Sequence, residues 1–127
     1  MRGMAKVLIV EDEIPILLLI EAALQQAGYE TLTASSLGDA KSVLGSTEKL
    51  DVVFTDIALG KDADGGIEIG LLTKRTRPGV PVIYATARGA DSMRGLSIEP
   101  SVHLQKPYTE DQLVKAVQRL LAKSHLR

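Results

Sequence analysis

Short, largely β-branched apolar runs alternate with longer helical patterns along the chain, and that alternation admits few folds. Lys6-Val7-Leu8-Ile9-Val10 is almost continuously apolar, as suits a strand covered on both faces. A helical stretch from Ile14 to Ala27 follows and closes at Gly28, a helix stop signal. Tyr29 to Ala34 reads as a second strand. Ser36 to Gly45 reads as a helix, with Ser36 and Asp39 at capping-box spacing. Asp51 to Asp56 is a third strand, and a loop carrying Gly60, Gly65 and Gly66 leads to a helix from about Ile67 to Arg77 that Pro78-Gly79 breaks. Val80 to Thr86 is a fourth strand and His103-Leu104-Gln105 a short fifth. Thr109-Glu110-Asp111-Gln112 is a capping box opening a last helix, with Leu113, Val117, Leu120 and Leu121 on one face. Between Ala87 and Ser101, Gly89, Gly95 and Pro100 leave few apolar residues at helical spacing, so the helix expected there is short or irregular.

Five strands alternating with helices predict an α/β fold, a parallel sheet covered on both faces with right-handed crossovers. The 127 residues suffice for one domain with its own core, and no repeat or linker divides them, so residues 1–127 are read as a single domain. In open sheets of this kind the functional loops gather at the carboxyl ends of the strands. Here those ends carry Glu11-Asp12, Asp56, Thr86 and Lys106.

Three carboxylates brought to one sheet edge raise one another's pKa unless a cation compensates. Mg²⁺ suits such oxygen donors and is typically held by one or two carboxylates beside a phosphate. Lys106 supplies a positive point charge for a carboxylate or a phosphoryl oxygen, and Thr86 a hydroxyl donor. The set suits an aspartate nucleophile that receives a phosphoryl group, a reaction governed by positioning and charge neutralisation. Taken singly each piece has a blander reading. Glu11-Asp12 could cap a helix, Asp56 solubilise a strand end, Thr86 serve β-propensity and Lys106-Pro107 form a surface turn. Their joint occurrence at four strand ends favours the chemical reading.

Composition removes other classes. No cysteine is present, which excludes disulfides, thiol catalysis and cysteine-ligated metals. His103 and His125 lie in separate segments, without zinc-ligand spacing. A net charge of −1 without basic clustering gives no support for nucleic-acid binding. No apolar run approaches the roughly 20 residues that span a bilayer, and the start does not read as a signal peptide. A cytoplasmic protein is expected.

Val10-Glu11-Asp12-Glu13, Phe54-Thr55-Asp56-Ile57, Val82-Ile83-Tyr84-Ala85-Thr86-Ala87 and Lys106-Pro107-Tyr108 together resemble the signatures of the response-regulator receiver family, over about residues 5 to 123. The resemblance implies a flavodoxin-like, doubly wound five-stranded parallel sheet of order 2-1-3-4-5 with five helices. It implies that Asp56 is the phosphoacceptor, that Asp12 ligates Mg²⁺ directly, and that Glu11 helps hold the metal, through water in one version. The backbone carbonyl of Ala58 would be a third protein ligand. Thr86 would hydrogen-bond the phosphoryl group, Lys106 would pair with it, and the Lys106-Pro107 peptide would be cis. The domain would phosphorylate and dephosphorylate itself as a switch rather than turn over as an enzyme. Its partners would be a histidine kinase or a histidine phosphotransfer protein, and it would be a monomer or weak dimer.

Three departures from the family pattern stand out. The usual Met-Pro turn after the phosphoacceptor is replaced by Leu59-Gly60-Lys61-Asp62-Ala63-Asp64-Gly65, one residue longer, where Gly60 offers backbone freedom in place of the proline. The stretch from Thr86 to Lys106 is short. The position three before the lysine, usually an aromatic that swings inward on activation, is His103, which reads either as a pH-sensitive switch or as an inert exposed ring. Ala58 and Arg88 sit where side chains help or hinder an attacking water.

Ile16-Leu17-Leu18-Leu19-Ile20 is more apolar than one buried face requires. With Ile16, Leu19, Ile20 and Ala23 inward, Leu17 and Leu18 face outward and could dock a four-helix phosphotransfer partner or kinase dimerisation domain; a wider core contact is the competing reading. Three other functions compete with the phosphoacceptor reading. A haloacid-dehalogenase-like phosphatase needs an acid two residues beyond its nucleophile, where this chain has Ala58. A calcium module built on Asp56, Asp62 and Asp64 lacks the distal glutamate. A phosphorylation-independent interaction domain of the same fold is opposed by the intact acidic pair, aspartate, threonine and lysine.

Overall fold

The computed structural model describes residues 4–87 and 101–125. Five strands, β1 (Lys6–Val10), β2 (Glu30–Ala34), β3 (Val52–Asp56), β4 (Val82–Thr86) and β5 (Ser101–Gln105), form one parallel sheet in the order β2-β1-β3-β4-β5. Among the described residues the helices are α1 (Ile14–Gln26), α2 (Leu37–Leu44), α3 (Gly65–Thr76) and α4 (Glu110–His125). The short or irregular helix expected between Ala87 and Ser101, and Arg88 with it, lie outside the described residues. No helix among the described residues is long and apolar enough to cross a membrane.

Period-two alternation in β1 builds both halves of the core. Val7 and Ile9 pack with Val52, Phe54, Leu24 and Val117 on the face covered by α1 and α4. Leu8 and Val10 pack with Val53, Ala40, Leu44 and Ile69 on the face covered by α2 and α3. The central strands β3 and β4 are buried along their whole length, and the edge strands β2 and β5 are partly exposed.

Local signals set the helix ends. Ser36 Oγ accepts the Asp39 N–H at 3.0 Å to open α2. Thr109 and Gln112 close a reciprocal capping box ahead of α4, with bonds of 2.8 and 3.1 Å. Gly28, at φ +99, reverses the chain after α1.

The phase of α1 differs from the expectation. Leu17 is 5% exposed and part of the core with Ile20, Ala23 and Leu24, whereas Leu18 and Leu19 are 56% and 64% exposed. Leu17, Ile20 and Leu24, at i, i+3 and i+7, form the buried stripe. Five consecutive aliphatic residues carry no periodicity of their own, so packing against β1 and α4 chose the phase. Leu17 is therefore a core residue; Leu18 is outward as expected, and Leu19 joins it. Helix α3 also begins two residues before the expected Ile67, at Gly65, because packing of Gly66 on the end of β3 and of Gly65 on Leu59 and Asp62 holds two glycines in a helix that propensity alone disfavours.

Candidate functional site

The strand order places the site. From β1 the chain crosses to β2 on one side and, later, to β3 on the other, which leaves a crevice between the carboxyl ends of β1 and β3. Glu11 and Asp12 follow β1 directly, and Asp56 is the last residue of β3. One carboxylate oxygen from each of Glu11, Asp12 and Asp56 lies within 4.8 Å of the others.

Lys106 closes the crevice from the far side. Its main-chain N–H donates to the Thr86 carbonyl at 2.8 Å, joining the ends of β4 and β5. Its side chain reaches back, and Nζ lies 2.8 Å from Asp56 Oδ2. Burial alone would lower the Lys106 pKa, but the hydrogen bond and charge of Asp56, with Glu11 and Glu13 behind it, raise it instead. The Lys106-Pro107 peptide is cis, as the resemblance implied. Thr86 is buried at the end of β4, and Ala58 is exposed two residues beyond Asp56.

Glu11 is the anomalous member. It is 1% exposed; its Oε2 accepts the Glu13 N–H at 3.1 Å, while Oε1 is buried without a hydrogen-bond partner among the described residues. Burial pushes its carboxyl up to about 7, with the Asp56 charge and the neighbouring Asp12 carboxyl adding to the rise against the Glu13 N–H and Lys106. A buried carboxylate oxygen left unpaired is costly. This cluster is short of positive charge.

Three further residues shape the site, and the sequence had assigned them no such part. The Gly60 N–H donates to Asp12 Oδ2 at 3.0 Å. Gly66 lets α3 lie directly against the Asp56 carbonyl, and its N–H donates to the Ile57 carbonyl at 2.8 Å. The Tyr108 ring sits edge-on to Phe54 at 6.1 Å, and burial, with the Glu11 and Asp56 charges, raises its hydroxyl pKa. Glycines in a loop signal backbone freedom but not what the backbone will touch. His103 is half-buried rather than exposed; its ring tilts against Tyr84 at 5.5 Å, and Nε2 is buried without a hydrogen-bond partner among the described residues. The ring is therefore not an exposed one.

Residues 7–118 match the family model of the response regulator receiver domain. The chain belongs to that family. As a receiver it is similar, at 32% identity over 93% of its length and 52% of the relative's, to the phosphate regulon transcriptional regulatory protein PhoB of Pseudomonas aeruginosa. It is 28% identical to the alkaline phosphatase synthesis regulatory protein PhoP of Bacillus subtilis, over 95% of this chain and 50% of that one. The receiver thus spans about half the length of these curated relatives. In structure it resembles a response regulator receiver protein from Sinorhizobium medicae, with a TM-score of 0.88, 30% identity, and coverage of 95% of this chain and 97% of that one. It also resembles the response regulator TrrA of Thermotoga maritima in complex with Mg²⁺ and BeF, with a TM-score of 0.77, 25% identity, and coverage of 93% and 100%. Receiver domains bind Mg²⁺ at an acidic pocket, and this chain has an acidic cluster of Glu11, Asp12 and Asp56.

Proposed function

We propose that this receiver takes a phosphoryl group onto Asp56 from a histidine kinase or histidine phosphotransfer protein in the cytoplasm, with Mg²⁺ at the acidic cluster. The modification then switches partner binding or is passed along a relay. The observation that carries this reading is the pairing of Lys106 Nζ with Asp56 Oδ2 at 2.8 Å beside two further carboxylates.

The residues fit the metal. An octahedral Mg²⁺ with oxygens near 2.1 Å holds ligand atoms roughly 3 to 4 Å apart, and one oxygen of each of the three carboxylates lies within 4.8 Å of the others. The unpaired Oε1 of Glu11 and the raised pKa of that group are what a site awaiting a cation would have. Asp12, Asp56 and the Ala58 carbonyl would hold the ion, with Glu11 helping to hold it. When bound, the ion neutralises charge on the phosphoryl oxygens.

An Asp56 carboxylate oxygen attacks phosphorus while the bond to the donor imidazole nitrogen breaks; the electron pair leaves with that nitrogen, which takes up a proton. Lys106 pairs with a phosphoryl oxygen in place of Asp56, and the Thr86 hydroxyl donates to another. Water attack at phosphorus later restores the carboxylate and releases inorganic phosphate. Thr86 and His103, at the end of β4 and the middle of β5, form the switch pair. The partner docks on Leu18 and Leu19 with exposed Ile14, beside a cavity of about 580 Å³ lined by Ile16, Leu19, Ile20, Pro107, Tyr108 and Leu113.

Intact mass after incubation with a small phosphodonor and Mg²⁺ tests the reading. One added phosphoryl group is expected, absent in Asp56→Asn and absent without Mg²⁺. Failure of both the phosphodonor and beryllofluoride to modify or bind the native chain would leave a phosphorylation-independent interaction domain.

A further inference from the structure

Gly60 lies at the tip of the loop between β3 and α3. Leu59 and Asp62 pair across it, each N–H donating to the other's carbonyl at 2.9 Å. Gly60 has φ +58, and Lys61 does not have a positive φ, so the turn follows the type II′ pattern with glycine first. That conformation aims the Gly60 N–H across the crevice at Asp12 Oδ2, 3.0 Å away and 48 residues distant in sequence. A proline in this place would have no N–H to give. An L-residue would be strained at this φ, although nothing among the described residues lies within 4 Å of where its β-carbon would sit.

Asp12 is one of the three mutually close carboxylates. Repulsion from Glu11 and Asp56 favours its rotation away into water. The Gly60 amide opposes that rotation and occupies only part of the carboxylate's acceptor capacity, leaving lone pairs for an ion. We infer that Gly60 is a positioning residue whose N–H holds Asp12 in its metal-binding orientation before the ion arrives, thereby strengthening Mg²⁺ binding. The inference rests on the assignment of Mg²⁺ to this cluster. Groups that orient a metal ligand commonly change affinity by about 10- to 100-fold.

The test replaces the Leu59–Gly60 amide of the full chain by an ester, which removes the Gly60 N–H and weakens the Leu59 carbonyl that accepts the Asp62 N–H. It is compared with a Lys61–Asp62 ester, which breaks that same turn bond but keeps the Gly60 N–H, and with D-alanine at position 60, which keeps both the N–H and the positive φ. Mg²⁺ affinity is measured by calorimetry and by competition with Mn²⁺ followed by electron paramagnetic resonance. The Leu59–Gly60 ester chain should bind about tenfold more weakly, and the Lys61–Asp62 ester and D-alanine chains within about twofold of native, with the urea midpoint of the D-alanine chain unchanged. Independently, side-chain couplings in the metal-free native chain should show a single Asp12 rotamer. A Leu59–Gly60 ester chain that binds as tightly as native, or an Asp12 side chain averaged over several rotamers, would overturn the inference and leave the metal assignment standing. A native chain that binds no Mg²⁺ would overturn both.

Discussion

Gly66 and Asp56 meet backbone to backbone: a β-carbon on Gly66 would overlap the Asp56 carbonyl oxygen and lie 2.6 Å from the Ile57 α-carbon. The start of α3 is thereby pressed onto the end of the strand that presents the central carboxylate. Neither obstacle is a side chain that could turn aside. Gly66→Ala should therefore cost about 3 kcal/mol, the upper end of overpacking, measured by urea unfolding. It should also weaken beryllofluoride binding, because Asp56 moves with its strand. An unchanged urea midpoint would contradict the close approach.

One turn further along α3, a β-carbon on Gly70 would overlap the Tyr84 hydroxyl and lie 2.7 Å from Cζ. Here the obstacle is mostly one removable atom. Gly70→Ala should destabilise by about 2 kcal/mol, and adding Tyr84→Phe should recover part of that loss, since Cζ remains in the way. A double-mutant cycle reads the coupling. Strict additivity would show that the two residues do not constrain each other.

Glu11 predicts a pH dependence. Its folded pKa of about 7 lies above the ordinary 4.5, so between those values the folded chain binds more protons than the unfolded one. The contribution is fully present below about pH 4.5 and is lost as pH rises through about 7, at most about 3 kcal/mol in all. Glu11→Gln removes the titration, so it should gain stability relative to native at pH 8 compared with pH 5 while weakening Mg²⁺ binding. Denaturant curves at the two pH values check the sign, and an equal difference at both would contradict it.

The phase of α1 separates two roles within three consecutive leucines. Leu17→Ala should cost about 2–5 kcal/mol as a core truncation. Leu18 and Leu19 changed together to serine should leave stability within about 1 kcal/mol, slow transfer from a phosphodonor protein, and spare phosphorylation by a small molecule. Equal slowing of both transfers would remove the docking role.

Arg77, just past α3, fans its guanidinium over the carbonyls of Val43, Leu44, Ser46 and Glu48 at the end of α2. It adds donors to carbonyls at and beyond the helix end and complements the negative end of the α2 dipole. Arg77→Ala should cost about 1–2 kcal/mol, read as a fall of several degrees in Tm, with Mg²⁺ affinity unchanged because the contact lies away from the acidic cluster.

Much of this architecture was legible in the residues. Runs such as Lys6–Val10 can be buried on both faces only in a covered parallel sheet, and Ser36 and Thr109 mark helix starts with side chains that bond locally. Chemistry-bearing residues at four strand ends meet in one crevice because parallel strands all point their carboxyl ends the same way. These features depend on periodicity and on contacts a few residues apart, which the sequence carries directly.

Other features were decided only when distant segments packed. Ile16 to Ile20 can present several faces inward, and β1 and α4 selected the one with Leu17 buried and Leu19 outside. Gly65 and Gly66 disfavour a helix in isolation, yet α3 begins on them: Gly66 packs against the Asp56 carbonyl, where a β-carbon would not fit, and Gly65 packs against Leu59 and Asp62. The reach of Gly60 to Asp12 and the raised pKa of Glu11 likewise exist only in the folded chain. A local pattern states what a residue permits; contact geometry and desolvation depend on neighbours tens of residues away, and only the tertiary structure supplies them.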